Sequence, residues 1–114
     1  MVDSILDSVK DKIAGGSIHD HFDGELVDDI NAALLDLRQL GIGPADGFSI
    51  TGADETWEDF VGDNLQMQRS VSALVALKVR LIFDPPASTA ISEAIKENIK
   101  RMEWRLNVNY EVGA

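Results

Sequence analysis

A double proline, Pro85-Pro86, divides the most regular part of this sequence into two helical segments. Apolar side chains on both sides of it recur at the 3.6-residue spacing of amphipathic helices. Because a proline disfavours the α conformation of the residue before it, Asp84 must end the first segment, and the Ser-Thr pair that follows is placed to cap the second. The sequence therefore predicts two long helices, about residues 64–83 and 88–106, hinged at the proline pair.

Two further amphipathic segments precede this pair of helices. The first covers about residues 2–13, where apolar side chains lie on one stripe until two adjacent glycines stop the helix. The second covers about residues 24–40, with Asp23 as its candidate N-cap and Gly41 just after its last turn. The helix of residues 64–83 has the widest apolar arc, which predicts a central position in the fold.

Residues 41–62 interrupt the helical pattern with glycines and a proline, and they predict a loop insert. Within it, about residues 43–56 are expected to hold a short strand or β-hairpin arm. Residues 56–59, Thr-Trp-Glu-Asp, are typical of a capped helical turn, which would seat Trp57 and Phe60. Anchored aromatic side chains predict an ordered insert rather than a mobile linker.

The predicted fold is therefore all-α, a small four-helix bundle with one ordered loop insert. The helical domain is expected to span residues 1–106. Apolar and polar residues alternate in residues 107–114, which predicts an extended C-terminal tail that either frays or adds to another chain.

Composition and motifs argue against catalysis. The chain has 114 residues, enough for one domain, and no cysteine, which excludes disulfides and thiolate chemistry. His19 and His21 form the only metal-like cluster, and two imidazoles in a loop without a third histidine make a weak site. No glycine-rich phosphate loop is present. We expect no enzyme, no cofactor and no bound metal; a metal-dependent enzyme built on the two histidines is a remote alternative.

Targeting and membrane segments are also not expected. The N-terminal residues carry mixed charges without the basic and apolar regions of a signal peptide. The longest apolar run, residues 73–77, is far too short to cross a bilayer.

The charge of the chain is unevenly distributed. Residues 1–64 hold 15 acidic and three basic side chains, whereas residues 65–114 hold five acidic and seven basic ones. The net charge of −10 speaks against binding nucleic acid through its phosphates. Such asymmetry either serves solubility alone or lets the acidic half of one copy meet the basic half of the next.

Two large apolar side chains lie on the polar sides of their helices. Leu35 points away from the apolar stripe of residues 24–40, and Trp104 lies opposite the stripe of residues 88–106. Single exposed apolar residues are common, but tryptophan is enriched among interface anchors. Lys78 falls inside the apolar arc of its helix, so its ammonium either reaches water or forms a buried ion pair with an acid of the second helix.

Several of these segments carry a resemblance to a known family. The chain resembles the head–tail connector, or head-completion adaptor, proteins of long-tailed phages and prophages of Gram-positive hosts. The resemblance covers about residues 20–108 and is carried by the sequences of residues 40–44, 47–50, 56–60, 77–86 and 103–107.

This resemblance implies a small helical bundle that forms a ring beneath the portal, twelvefold like the portal itself. Such a ring would extend the DNA channel, let double-stranded DNA pass without specific binding, and present a surface to the next connector, stopper or tail-completion protein. In the family the C-terminal segment docks on the portal, which implies docking here by residues of the tail, namely Asn107, Val108, Tyr110 and Val112.

We therefore interpret the chain as a virion structural protein at the head–tail interface, assembled in the host cytoplasm. Its partners would be its own copies, the portal protein and the next connector protein. The alternative is a monomeric acidic binding module, an inhibitor or nucleic-acid mimic, with a continuous acidic face. The residues expected at protein interfaces are Leu35, Phe48, Ile50, Trp57, Arg101, Trp104 and Arg105.

Overall fold

A computed structural model of the chain describes residues 4–14 and 20–113, with side chains described for residues 4–13 and 20–107. The described residues form five α-helices, one short 3-10 helix and no strand, which confirms the all-α class. The helices are α1 (Ile5–Ala14), α2 (Asp23–Gln39), α3 (Trp57–Val61), α4 (Leu65–Phe83) and α5 (Thr89–Gly113), and the 3-10 helix covers Asp20–Phe22.

Helix α4 lies at the centre of the fold, as its wide apolar arc predicted. It packs against α1, α2, α3 and α5. Val71, Leu74, Val75 and Val79 are completely buried along it, and they join the core residues of the surrounding helices. Because neighbouring helices contact α4 on several sides, a narrow apolar stripe would not have covered all of its contacts.

The two ends of α2 differ in how well the sequence predicted them. Gly41 follows the helix with a φ of +86°, a conformation that glycine adopts without strain, as predicted. Asp23 is not the N-cap: the helix starts directly from the 3-10 turn, and Phe22 precedes it without a side-chain cap. The Phe22 ring instead meets Phe83 edge-on, with 5.7 Å between ring centroids. The start of α2 is therefore not fixed by the local cap that the sequence predicted.

The insert between α2 and α4 is ordered by side chains rather than by strand pairing. Asn31 on α2 donates to the carbonyl of Ile50 at 3.0 Å and accepts from its N–H at 2.7 Å. Thr56 and Asp59 form a reciprocal capping box that starts α3, as predicted. The predicted β-hairpin is wrong: residues 43–56 contain only an isolated bridge, between Thr56 and Ser4. The Asn31 amide supplies the two hydrogen bonds that a partner strand would have made.

The C-terminal tail is a second correction. The helix predicted to end at about residue 106 continues as α5 to Gly113, so the backbone of residues 107–113 is helical and not extended. The alternation of apolar residues there imitates a strand pattern. No proline or glycine interrupts residues 107–112, and adding residues to an existing helix requires no new nucleus.

Lys10 joins α1 to the start of α2, a contact that the sequence pattern did not predict. Lys10 is buried, and its ammonium lies 2.9 Å from Asp20 and 2.8 Å from Asp23. Hydrogen bonds that the ammonium donates to the carboxylates of Asp23 and Asp20 raise the pKa of Lys10, because they outweigh the opposing effect of burial. This pair of contacts holds the 3-10 turn against α1.

Glu55 gives the insert a predictable pH response. Burial raises the pKa of its carboxyl, but hydrogen bonds from the N–H and hydroxyl of Thr51, at 3.0 and 2.9 Å, lower it more, so the pKa lies below its ordinary 4.5. The carboxylate therefore stabilises the fold above the unfolded-state pKa, and this contribution disappears as pH falls through the lower folded-state pKa.

We expect Glu55→Gln to lower the free energy of unfolding by about 1–2 kcal/mol at pH 7, because hydrogen bonds to a charged acceptor are stronger than those to an amide. The difference from the native chain should shrink as pH falls through the lowered folded-state pKa of Glu55. Urea unfolding over a series of pH values from 7 downward measures it. Glu58→Gln, at an exposed acid of α3, is the matched control and should change little over the same series.

Candidate functional site

Core packing leaves several large apolar side chains at the surface. Leu35 is 51% exposed and Trp104 is 68% exposed, as their positions on the helices predicted. Ile82 and Ile91 are 59% and 51% exposed, although both have the spacing of core residues on their helices. Three of these residues, Leu35, Ile82 and Trp104, mark two grooves and one ridge.

The first groove lies between α2 and the insert, and we call it the Leu35 groove. It encloses about 460 Å³, and its lining includes Leu34, Leu35 and Phe48 with Asp46 and Ser49. Leu34 is buried in the core, so the floor of the groove is apolar. Phe48 packs on Phe60 with 5.2 Å between ring centroids, which anchors the insert side. Leu35 and Phe48, two of the predicted interface residues, are thus brought together.

The ridge is formed by three exposed residues of α5, Arg101, Trp104 and Arg105, and we call it the Trp104 ridge. Neither arginine forms an ion pair with any acidic residue that the structure describes. Glu97, four residues before Arg101 on the helix, instead lies 3.9 Å from the ammonium of Lys100. The ridge therefore presents an indole between two cations.

The second groove lies between α4 and α5, and we call it the Ile82 groove. It encloses about 410 Å³ and is lined by Leu81, Ile82 and Ile99 together with lysines and acids. Its charges are matched internally, since its three lysines each lie within 4 Å of an acid of the same groove. These pairs are Lys78 with Asp36 and Glu103, Lys96 with Glu93, and Lys100 with Glu97.

Lys78 resolves an alternative that the sequence left open. Its side chain is 14% exposed, and its ammonium lies 3.0 Å from Asp36 and 2.8 Å from Glu103. Burial lowers the pKa of Lys78, but hydrogen bonds to Glu103 and Asp36 outweigh that effect and raise it. Because the pKa of Lys78 is raised, its contribution to stability is present below pH 10.5 as long as the two carboxylates are ionised, and it is lost as pH rises through the folded-state pKa. Lys78 therefore joins α2, α4 and α5.

We expect Lys78→Met to lower the free energy of unfolding by about 1–3 kcal/mol at pH 7, because it leaves two carboxylates without their shared cation. Urea unfolding measures the loss, and adding Glu103→Gln should restore part of it. Lys96→Met is the matched control, since its pair with Glu93 is long and exposed and should contribute less than about 0.5 kcal/mol. Equal losses in the two lysine variants would contradict this role of Lys78.

Other residues that were predicted at interfaces make contacts within the chain instead. Ile50 is 2% exposed and Trp57 is 4% exposed, so both belong to the chain's own core. The Asn107 amide donates to the carbonyl of Leu40 at 2.8 Å, which ties α5 to the end of α2. The side chains of the remaining tail residues expected to dock, Val108, Tyr110 and Val112, lie outside those that the structure describes.

The described residues offer no metal centre. No three of their histidine, aspartate and glutamate side chains come close enough together to hold an ion. His21 stacks at a tilt on Phe22, with 4.0 Å between ring centroids, and His19 lies outside the described residues. Among the described helices, none combines the length and apolar character that a bilayer span requires.

Comparison with known families adds a decisive observation. The family model described as "Phage connector protein" matches residues 5–113, nearly the whole chain. The chain belongs to the phage connector protein family. This confirms the resemblance seen in the sequence. No curated protein and no solved structure matches the chain at a significant level.

Membership of the phage connector family sets the general role. A phage connector protein is a structural component of the virion and interacts with other head or tail proteins. The grooves and the ridge hold three of the exposed large apolar side chains, namely Leu35, Ile82 and Trp104. Such side chains are candidates for contacts with other proteins.

Proposed function

We propose that this phage connector is a head–tail adaptor that forms a ring beneath the portal, extends the DNA channel and links the head to the next connector protein. The observation that carries the proposal is Trp104, which is 68% exposed on a chain whose core is otherwise well packed. An exposed indole flanked by arginines is the composition of an interface anchor. The ring would have the twelvefold symmetry of the portal, and no catalysis, metal or cofactor is part of the proposal.

The length of α5 changes how portal docking is proposed. Because α5 continues to Gly113, the C-terminal segment would meet the portal as the end of a helix and not as an added strand. Asn107 already bonds to the carbonyl of Leu40, so the docking residues would be those beyond it. The end of α5 would thus be held at a fixed position relative to α2.

The acidic first half favours passage of DNA without adhesion. Burial raises the pKa of Asp29, and the charges of Glu25 and Asp28 raise it further, so α2 bears acids close enough to repel one another. Surfaces of this kind repel phosphates rather than neutralise them. The same acids support the alternative function, a monomeric module that binds a basic protein, since a cationic partner would relieve their repulsion.

Mixing the purified chain with portal rings from the same genome, followed by electron microscopy, tests the proposal. The expected result is an additional ring of density beneath the portal. Free adaptors that stay monomeric without the portal are compatible with it. A bare portal at high excess of the chain, over a range of salt concentrations, would overturn the adaptor role and favour the acidic binding module.

A further inference from the structure

We propose that neighbouring copies join head to tail, with the Trp104 ridge of one copy seated in the Leu35 groove of the next. This inference rests on the proposed function, because a ring requires contacts between copies, and it names the two surfaces that make them. One copy carries both surfaces, so the contact is heterologous and can repeat until it closes. The 51% exposure of Leu35 and the 68% exposure of Trp104 show that neither covers the other within one chain.

The Leu35 groove has the volume and some of the apolar surface that an indole needs. Its volume of about 460 Å³ falls in the range of about 300–1,000 Å³ that proteins use to bind organic groups. Leu34, Leu35 and Phe48 provide apolar surface, and Asn31 and Ser49 supply polar groups beside it. Asn31 is held by its two hydrogen bonds to Ile50, so this wall is already ordered.

An unpaired carboxylate favours this groove for the ridge. Asp46 is exposed in its lining and forms no ion pair with a described basic residue. Arg38, the other charge in the lining, stays positive, but its guanidinium donates twice to the carbonyl of Ala45, at 3.3 and 3.1 Å, and is thereby tied to the insert. A carboxylate beside an apolar floor matches an indole flanked by Arg101 and Arg105.

The Ile82 groove is the competing acceptor, and its charges argue against it. Each of the four acids in its lining already lies within 4 Å of a lysine of the same groove, whereas Asp46 of the Leu35 groove has no such described partner. An arginine-flanked indole entering there would bring its cations beside three lysines. Its exposed Ile82 makes it suited to an uncharged partner instead.

Thiol cross-linking tests the contact, since the chain contains no cysteine. Ser49→Cys places one thiol at the Leu35 groove, and Arg105→Cys places one on the ridge while Arg101 remains. An equal mixture of the two variants, treated with a short bismaleimide on portal rings and at high concentration without them, is expected to give a covalent heterodimer. A chain carrying both substitutions should give a ladder of multimers. Adding Trp104→Ala to the ridge variant should remove the product.

Ile82→Cys replaces Ser49→Cys in the matched control mixture. No heterodimer with Arg105→Cys is expected there, and a product in this mixture alone would overturn the proposal in favour of the Ile82 groove. Cross-linking of Ser49→Cys to the portal rather than to Arg105→Cys would overturn it in favour of portal docking. A ring of the native chain on the portal without any Ser49–Arg105 product would overturn the inference and leave the adaptor function standing.

A charge exchange provides an independent measurement of the same contact. Arg101→Asp and Asp46→Arg are each expected to weaken assembly about tenfold, because each places like charges across the interface. A chain carrying both substitutions restores an opposite pair at every interface and should assemble at nearly the native concentration. Failure of the double variant to recover would overturn the pairing. Cross-linked heterodimers in solution together with a bare portal would support the contact and overturn the adaptor function.

Discussion

Replacing Trp104 with alanine is expected to prevent ring assembly on the portal while leaving the folded monomer as stable as before. The indole is 68% exposed, so its removal takes little from the core of the free chain. An indole buries roughly 150–250 Å², and truncating such an anchor costs about 2 kcal/mol or more for each interface. Each contact would therefore weaken about 30-fold or more, and a closed ring multiplies that loss over its interfaces.

Two measurements separate this effect from misfolding. Urea unfolding of Trp104→Ala should match that of the native chain, and electron microscopy with portal rings should show no added ring at concentrations where the native chain gives one. Leu65→Ala is the matched control, because Leu65 is also exposed, at 62%, but lines neither groove. Rings of normal occupancy with Trp104→Ala would show that the ridge is not an interface.

Replacing Gly43 with alanine is expected to have the largest effect on folding. Gly43 has a φ of +92°, where a residue with a Cβ is strained, and the added Cβ would overlap the ring of Phe60. The strain costs about 1–2 kcal/mol, and displacing a buried aromatic ring adds an overpacking cost of about 1–3 kcal/mol. We expect a loss of about 2–5 kcal/mol in the free energy of unfolding.

The variant Gly41→Ala separates the cost of backbone strain from the cost of overlap with the Phe60 ring. Gly41 has a similar φ of +86°, but the structure describes no other heavy atom within 4 Å of its added Cβ. Its alanine variant should lose only the strain, about 1–2 kcal/mol. Thermal unfolding of both variants measures the difference. Equal losses would mean that Phe60 moves aside freely and does not anchor the insert.

Local patterns were sufficient for the helices. Apolar spacing located α1, α2, α4 and most of α5, and the capping box predicted the short helix α3, because each signal lies within a few residues of the structure it specifies. The same patterns placed Leu35 and Trp104 on exposed faces, since angular position on a helix depends only on sequence spacing. The match of the family model to residues 5–113 agrees with the resemblance seen in the sequence.

Such local patterns could not predict the contacts between segments that are distant in the sequence. The side chain of Asn31 completes the hydrogen bonds of Ile50, 19 residues away, and thereby replaced the expected hairpin with an irregular loop. Lys78 lies between Asp36 and Glu103, which no local spacing brings together. Ile91 has the spacing of a core residue but is exposed, because the core does not extend along the whole of α5.

The sequence by itself determined most of the helical segments, the outward positions of Leu35 and Trp104 and which family the chain resembles, because periodicity and capping act over one or two turns. Only the tertiary structure decided that Leu35 and Phe48 share a groove, that Trp57 is used in the core and that α5 continues to Gly113. Those outcomes depend on which surfaces of the other elements pack together around α4. The spacing of residues along any one helix does not specify such contacts between elements.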